Sequence, residues 1–139
     1  MNDKEFSLHL RLQSDTVVLG DLPLCTALLM NNSDYPWVIL VPRRLGICEL
    51  HALSQADQHQ LLRESGQVSR LMQRLFEPDK LNVAALGNVV SQFHWHIIAR
   101  YINDAAWPAP VWGTGHGQPY SPDILETMVF RLREGLFGG

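Results

Sequence analysis

Gln92-Phe93-His94-Trp95-His96-Ile97-Ile98 is the stretch that decides how the rest of this sequence is interpreted. Side chains of a β-strand alternate between two faces, so Gln92, His94 and His96 are expected on one face and the apolar residues between them on the other. With a rise of about 3.3 Å per residue, the two imidazoles start about 7 Å apart, which lets both reach one substrate group. The stretch therefore predicts an amphipathic strand with a core face and a reactive polar face.

The segments on either side of this strand predict an α+β fold with an antiparallel sheet of about five strands. Short β-branched and apolar runs alternate with turn-forming residues, and two longer segments have the spacing of amphipathic helices. The predicted strands are 16–20, 24–30, 37–41, 81–86 and 93–102, and the predicted helices are 54–76 and a C-terminal helix from Ser121-Pro122 to Gly135. No repeat, linker or charge block divides residues 1–139, which are predicted to form a single domain.

The predicted helix 54–76 carries its own start signal and one weak position. Ser54 is the expected N-cap, with Asp57 three residues further on as the partner of a loose capping box. Gly66 lies in the helix interior, where glycine is about 1 kcal/mol less favourable than alanine. Pro78 follows the last apolar residue of the stripe. We expect this helix to be the main element packed on the sheet.

The composition is that of a small globular protein with a mildly acidic charge. The chain has 139 residues, of which 46% are hydrophobic and 18% charged, and its formal net charge is −3. Dedicated duplex-DNA-binding domains are typically strongly basic, so this class is disfavoured, whereas a pocket for one small anion is not. We expect neither a leader peptide nor a membrane span, and two cysteines are too few for a disulfide framework. We therefore expect a cytoplasmic protein with no membrane partner, in which Cys25 and Cys48 are reduced.

Two histidines separated by one residue on a strand also have the spacing of metal ligands. A catalytic zinc site usually has three protein ligands, and the residues directly after His96 offer neither a carboxylate nor another histidine. The remaining histidines, at positions 9, 51, 59 and 116, join this pair only if the fold brings them there. A metal-dependent hydrolase that uses His94 and His96 is therefore an alternative, as is a strand with two surface histidines and no chemistry.

Residues 87–100, GNVVSQFHWHIIAR, resemble the signature of the histidine triad (HIT) family. In that signature Gly-Gln-Ser/Thr and an apolar residue precede three histidines that alternate with apolar residues. Val38–Arg44 is similar to the family's Leu-Val-Ile-Pro-Lys segment, and the tail with Trp107 and Trp112 resembles that of a bacterial subgroup similar to diadenosine polyphosphate hydrolases. The resemblance implies a five-stranded sheet with a long central helix and a C-terminal helix. It also implies a homodimer in which the central strands extend one sheet across the interface.

The resemblance implies a nucleotide hydrolase or transferase that acts at the α-phosphate of nucleoside polyphosphates, dinucleoside polyphosphates or phosphoramidates. His94 matches the histidine that attacks phosphorus and forms a covalent nucleotidyl intermediate, and His96 matches the histidine that contacts the phosphate. Gln92, the third residue assigned to the catalytic set, is expected to line the same phosphate site and to orient a neighbouring group or the phosphate. The positions expected to bind substrate are Asn82, Gly87 and Asn88. No metal and no cofactor is implied, because imidazole, amide and backbone N–H donors stabilise the phosphate charge.

The sequence departs from the family pattern at the first triad position, where Gln92 replaces a histidine. An amide forms hydrogen bonds, but it does not shuttle a proton near neutral pH. Leu45 stands where many relatives have a histidine, and Asn88-Val89 stand where they have Gln-Ser/Thr. These departures keep a further alternative open, a nucleotide-binding module with weak or lost catalysis.

The other polar and aromatic residues have simpler interpretations. Arg43 and Arg44 are expected to be solvated charges rather than polyphosphate contacts, and Arg100 is expected at most at the edge of the site. Trp107 and Trp112 are expected at a dimer interface rather than against a base. The residues explained by turn formation, without a ribose ligand, are Asn31, Asn32 and Asp34.

Overall fold

The protein is described by a computed structural model that covers residues 5–115 and 117–138. Five strands form one antiparallel sheet in the order β1-β2-β3-β5-β4. The strands are β1 Thr16–Asp21, β2 Cys25–Met30, β3 Trp37–Pro42, β4 Lys80–Ala84 and β5 Trp95–Arg100. The helices are α1 Leu10–Asp15, α2 Gln55–Phe76 and α3 Pro122–Phe137, with a short 3-10 helix at Leu50–Ala52. The predicted α+β fold, with its long central helix and C-terminal helix, is confirmed.

The sheet has two faces that bury different sets of side chains. On the helix face, residues such as Val38, Leu40 and Ile97 pack against α2 and α3. On the opposite face, which we call the cavity face, Ile39 and Ile98 pack with residues of α1 and of the loops. Because successive residues of a strand point to opposite faces, one strand serves both cores. Among residues 5–115 and 117–138, no helix is long and apolar enough to cross a membrane.

α2 is fixed to the sheet at its start and through a buried carboxylate. Ser54 is the N-cap, as predicted, since its hydroxyl accepts a hydrogen bond of 3.1 Å from the backbone N–H of Asp57. Glu64 is only 1% exposed, and its carboxylate accepts the backbone N–H groups of Leu24 and Cys25 at 2.8 and 2.9 Å. Charge-assisted bonds of this kind are about twice as strong as neutral ones. Glu64 therefore holds α2 against the beginning of β2.

One helix was not predicted, and several element ends differ from those predicted, among them that of β4, which ends at Ala84 rather than at residue 86. α1 was not expected, because its six residues bury only Leu12 and show no apolar periodicity. β5 begins at Trp95 rather than at residue 93, so the residues before it do not follow strand alternation. α3 continues through Gly135 to Phe137. A Cβ atom at Gly135 would overlap the side chain of Leu71, so this glycine permits close packing of α3 on α2 instead of ending the helix.

The expectation that Arg43 and Arg44 are solvated charges is wrong. Arg44 donates to both carboxylate oxygens of Asp57, at 2.8 and 3.2 Å. Arg43 donates to the backbone carbonyls of Leu22 and Pro23, at 3.0 and 3.1 Å. Arg43 therefore binds the segment before β2, and Arg44 binds the segment after β3 to the first turn of α2. Cys25 is buried and Cys48 exposed, and both are free thiols, as expected.

Candidate active site

A cavity of about 750 Å³ opens on the cavity face of the sheet. Its walls come from α1, from the ends of β2 and β3, from the loop before β5, and from the segment that leads to α3. His94 and His96 both line it, together with Gly87 and Asn88. Four of the six residues that the sequence nominates for the site therefore meet in one place.

The ring of His94 is oriented by the backbone just before it. Its Nδ1 lies 2.7 Å from the carbonyl oxygen of Gln92. A carbonyl only accepts, so Nδ1 carries the proton and the lone pair of the neutral ring is on Nε2. His94 is 7% exposed, and burial lowers its pKa, with a smaller opposing effect from the Gln92 carbonyl. His94 is therefore a neutral imidazole at pH 7 with a nucleophilic Nε2.

His96 has the opposite tautomer. The indole Nε1–H of Trp37 donates to Nδ1 of His96 over 3.0 Å. An indole only donates, so Nδ1 is the acceptor and the proton of the neutral ring is on Nε2. Burial, together with a smaller effect of the neighbouring His94, lowers the pKa of His96 to about 3. The two ring centroids are 4.8 Å apart. The cavity thus holds one imidazole that offers a lone pair and one that offers an N–H.

The loop between β4 and β5 forms the wall beside these two rings. Gly87 has a φ of +77°, a conformation that side chains with a Cβ rarely adopt. Asn88 follows it at the cavity wall, and Val90 is buried beneath the loop. The sharp turn at Gly87 therefore brings the Asn88 amide and the loop backbone close to the histidines.

The structure corrects the expectation that the Gln92 side chain lines the phosphate site. Gln92 precedes the first residue of β5 and is not among the residues that line the cavity. Its Oε1 accepts the backbone N–H of His9 at 2.8 Å, and its Nε2 donates to the carbonyl of Ser7 at 2.9 Å. The amide is therefore used to hold the N-terminal segment.

Asn82 and Arg100 also lie elsewhere than expected. Asn82 does not line the cavity, because its Oδ1 accepts a hydrogen bond of 2.8 Å from Arg100. Arg100 is 1% exposed and makes two hydrogen bonds to Asp104, at 2.8 and 3.1 Å. These bonds lower the pKa of Asp104 to about 2. Arg100 is thus the centre of a buried polar cluster that fixes the chain after β5, and it is not at the edge of the site.

The two tryptophans of the tail make ring contacts within their own chain, and their expected place at a dimer interface stays a prediction. The ring of Trp107 lies over the guanidinium of Arg100, at 5.7 Å from its centroid. Trp112 meets the rings of Trp37 and His96 edge-on, with centroid distances of 6.0 and 5.1 Å. Trp112 lines the cavity and is half-buried. It is therefore a wall of the site.

The turn between β2 and β3 attaches the segment that leads to α3. Asn32 accepts the backbone N–H of Asp34 at 2.9 Å, which confirms its expected turn role. Asn31 accepts the backbone N–H of Tyr120 at 2.9 Å, and Ser33 donates to the carbonyl of Gln118 at 2.7 and 2.9 Å. Both asparagines also line the cavity. Asn31 and Ser33 attach the segment before α3, whereas the bond of Asn32 shapes the turn itself.

The other histidines in the described residues are His9, His51 and His59. His51 and His59 are exposed, on the 3-10 helix and on α2, away from the cavity. His116 lies outside the described residues. Within the described parts of the chain, no group of three or more His, Cys, Asp or Glu side chains is arranged to hold a metal. His9, in contrast, lies near enough to His94 for its charge to lower the pKa of that ring.

Sequence reasoning missed the wall that α1 contributes. Its residues at the cavity are Arg11, Leu12, Ser14 and Asp15. Arg11 and Asp15 approach each other to 3.7 Å across one helical turn. The only local signal for this helix is a histidine N-cap, since Nδ1 of His9 accepts the backbone N–H of Arg11 at 3.0 Å. Histidine is not among the residues preferred at that position, so local sequence does not strongly indicate this helix.

Residues 11–103 match the HIT domain family. A histidine triad protein from Bradyrhizobium japonicum is 44% identical, with a TM-score of 0.92 over 95% of this chain and 98% of that one. A histidine triad protein from Marinobacter aquaeolei is 49% identical, with a TM-score of 0.91 over 94% and 96% of the two chains. One from Sinorhizobium meliloti is 39% identical, with a TM-score of 0.93 over 97% and 100%. No curated protein sequence matches the chain.

Proposed function

Because the chain belongs to the histidine triad family, whose members are generally nucleotide-binding hydrolases or transferases, we propose that it transfers a nucleotidyl group to His94 and then to water. The observation that carries the proposal is the bond of 2.7 Å between His94 Nδ1 and the Gln92 carbonyl. This bond fixes the ring with its lone pair on Nε2, within a cavity of nucleotide size. The proposed substrates are dinucleoside polyphosphates and nucleoside phosphoramidates.

In the first step, Nε2 of His94 attacks the α-phosphorus and forms a phosphorus–nitrogen bond. The bond from phosphorus to the leaving phosphate or amine breaks, and the leaving group departs with the electron pair and takes a proton from solvent. In the second step, water attacks phosphorus, the phosphorus–nitrogen bond breaks, and a proton of that water is released. His94 returns to its neutral form. Two displacements through a covalent intermediate replace one more difficult displacement.

His96 is proposed to donate from Nε2–H to a non-bridging oxygen of the same phosphate. Since Trp37 fixes its tautomer, the donor needs no reorganisation when charge develops on phosphorus. The Gly87-Asn88 turn supplies further polar groups at the same wall. The apolar part of the cavity, formed by Leu12, Ile39 and Trp112, suits a nucleoside base.

The test compares His94→Ala with the control His51→Ala, whose side chain is exposed and lies away from the cavity. Turnover of adenosine phosphoramidate and of a diadenosine polyphosphate is measured, with circular dichroism as a check of folding. We expect His94→Ala to lose at least a thousandfold in kcat/KM and the control to match the wild type. Turnover retained in a folded His94→Ala variant would contradict the proposed mechanism.

Acid-quenched mass spectrometry distinguishes the proposal from a nucleotide-binding module without catalysis. The wild type is expected to carry a nucleotidyl adduct on the peptide that contains His94. Binding of the substrate in calorimetry, with neither adduct nor turnover, would favour the binding module. Activity that is lost after prolonged chelation and restored by zinc would favour the metal-dependent alternative.

A further inference from the structure

The floor of the cavity connects the two histidines with α1 across three strands. His96 of β5 is paired with Ile39 of β3, and Ile39 is paired in turn with Leu28 of β2. Just after β2, the backbone N–H of Asn31 donates to the carbonyl of Asp15, the last residue of α1, at 3.0 Å. Since neighbouring strands are about 4.8 Å apart, His96 and α1 stand at opposite ends of a floor about 10 Å long. A ribose and a purine fill such a span, so a nucleotide with its phosphate at the histidines would direct the far edge of its base towards α1.

The side of α1 that faces the cavity carries one apolar residue and two charged ones. Leu12 is 4% exposed and belongs to the apolar wall. Arg11 and Asp15 also line the cavity, and because they are four residues apart they lie on the same side of the helix. Their side chains are 57% and 47% exposed, so a ligand can reach both. The edge of a base that packs on Leu12 therefore meets a guanidinium and a carboxylate together.

The ion pair of Arg11 and Asp15 leaves hydrogen-bonding groups for a ligand. Nε of Arg11 lies 3.7 Å from Oδ2 of Asp15, an ionic contact that is longer than a hydrogen bond. The Ser14 hydroxyl is shared between the carbonyl of Arg11 and Oδ1 of Asp15, at 3.1 and 3.3 Å. A carboxylate has about four lone-pair sites and a guanidinium has five N–H donors. Both groups can therefore bind a base edge while they remain next to each other.

We propose that Arg11 and Asp15 make this cavity selective for guanine, with Asp15 accepting from N1–H and from the 2-amino group and Arg11 donating to O6. This inference rests on the proposed function, because it places the base of the same nucleotide whose α-phosphate lies at His94. The edge of guanine has one acceptor beside two donors, which matches a guanidinium beside a carboxylate. Adenine would turn its amino group towards Arg11 and its N1 lone pair towards the carboxylate. The pair therefore attracts one purine and repels the other.

Calorimetry with guanosine, inosine and adenosine monophosphates tests this selectivity without turnover. Guanosine monophosphate should bind about tenfold more tightly than adenosine monophosphate, the order expected for one net hydrogen bond to a charged group. Inosine monophosphate has O6 and N1–H but no 2-amino group, so its affinity should lie between the other two. Equal affinities of the wild type for guanosine and adenosine monophosphates would overturn the proposal.

Asp15→Asn is expected to abolish the preference, because an amide can accept from the amino group of adenine and donate to its N1. The quantity to compare is the ratio of the two dissociation constants, since a purely structural role of Asp15 would weaken both nucleotides alike. Asp123→Asn is the matched control, because that residue is exposed on α3 and does not line the cavity. An unchanged ratio in an Asp15→Asn variant with native circular dichroism would contradict the role of the carboxylate.

Arg11→Met keeps the aliphatic part of the side chain and removes its donors. Guanosine and inosine monophosphates should bind about fivefold more weakly, because both lose the bond to O6, whereas adenosine monophosphate should bind no more weakly than before. Arg63→Met, at an exposed position of α2 away from the cavity, is the control. An equal loss for all three nucleotides would contradict the role of the guanidinium.

These measurements separate the selectivity from the proposed function. Selective binding of guanosine monophosphate, with neither adduct nor turnover, would contradict only the proposed catalysis. Turnover through a His94 adduct, with equal affinities and equal kcat/KM for guanosine and adenosine phosphoramidates, would contradict only the selectivity.

Discussion

At the scale of single residues, two hydrogen bonds give neighbouring imidazoles opposite roles. The Gln92 carbonyl places the proton of His94 on Nδ1, and the Trp37 indole places the proton of His96 on Nε2. Burial lowers the pKa of both rings, so both are neutral at pH 7. The proposed phosphate contacts therefore need no protonated histidine, and a net charge of −3 is compatible with the proposed function.

Trp37→Phe is expected to allow both neutral tautomers of His96, because phenylalanine has no N–H to donate to Nδ1. We expect long-range ¹H–¹⁵N NMR spectra to show a mixture of His96 tautomers, whereas the tautomer of His94 stays unchanged. The rate constant kcat/KM should fall about tenfold or less, since one hydrogen bond contributes about 0.5–1.5 kcal/mol. Trp107→Phe is the matched control, because that ring packs on Arg100. A pure His96 tautomer in Trp37→Phe would contradict this explanation.

The buried histidines also make stability depend on pH. The unfolded chain binds a proton at each ring near pH 6.5, whereas the folded pKa of His96 is about 3. Between these values the unfolded state binds more protons, so the free energy of unfolding falls as pH decreases, by up to about 1.4 kcal/mol per pH unit for this ring. In urea unfolding between pH 6 and 4, His96→Asn should reduce the slope of the free energy of unfolding against pH by up to about 1.4 kcal/mol per pH unit. The exposed control His51→Asn should not, and an equal slope in His96→Asn would refute the assignment.

At the scale of elements, replacement of glycine by alanine is expected to stabilise the protein at one helix position and to destabilise it at another. A Cβ at Gly66 of α2 would meet only the flexible guanidinium of Arg70, at 3.1 Å, whereas a Cβ at Gly135 of α3 would overlap Leu71. Gly66→Ala should raise the free energy of unfolding by about 0.5–1 kcal/mol. Gly135→Ala should lower it by about 1–3 kcal/mol through overpacking. Thermal and urea unfolding check both values, and destabilisation of equal size in both variants would contradict the packing argument.

The elements that the sequence predicts well are those whose signal is local. The alternation of β5 and the apolar stripe and N-cap of α2 follow from neighbouring residues, and both are confirmed. α1 was missed, because a six-residue helix with one buried side chain has no periodicity. Gln92 was misplaced for a related reason: alternation was extended three residues before the strand begins.

The same distinction between local and long-range signals applies to the residues of the candidate site. His94, His96, Gly87 and Asn88 are close in sequence, and their joint placement at the cavity could be predicted. Asn82 could not be assigned correctly, since its partner Arg100 is 18 residues away. The role of Trp112 depends on a ring contact with Trp37, 75 positions earlier in the chain. Contacts of this kind exist only after the sheet has formed, so no local pattern indicates them.

At the scale of the whole molecule, β4 is an edge strand, and we propose that two copies of the chain associate there as a homodimer. The family resemblance implies a sheet that continues across such an interface. Val83 of β4 and Leu86 just after it are 44% and 42% exposed, as expected of apolar side chains that a second copy of the chain covers.

Val83→Lys is therefore expected to weaken the dimer at least tenfold, because a charge must then be buried at the interface. Sedimentation velocity over a range of concentrations measures the change. Leu62→Lys is the control, since that residue is 59% exposed on α2 and away from β4. A wild type that is monomeric at all concentrations, or an equal effect of both substitutions, would contradict the proposed interface.

The cavity is assembled from chain segments that span residues 11 to 119. No fragment that lacks α1, β5 or the segment before α3 contains all of its walls, so the proposed nucleotide ligand would bind the complete fold and no partly unfolded form. Ligand binding and folding are then thermodynamically linked, and a ligand at a hundred times its Kd would add about 2.7 kcal/mol to the free energy of unfolding. A rise in melting temperature on adding a nucleotide would thus identify binders without an enzymatic assay.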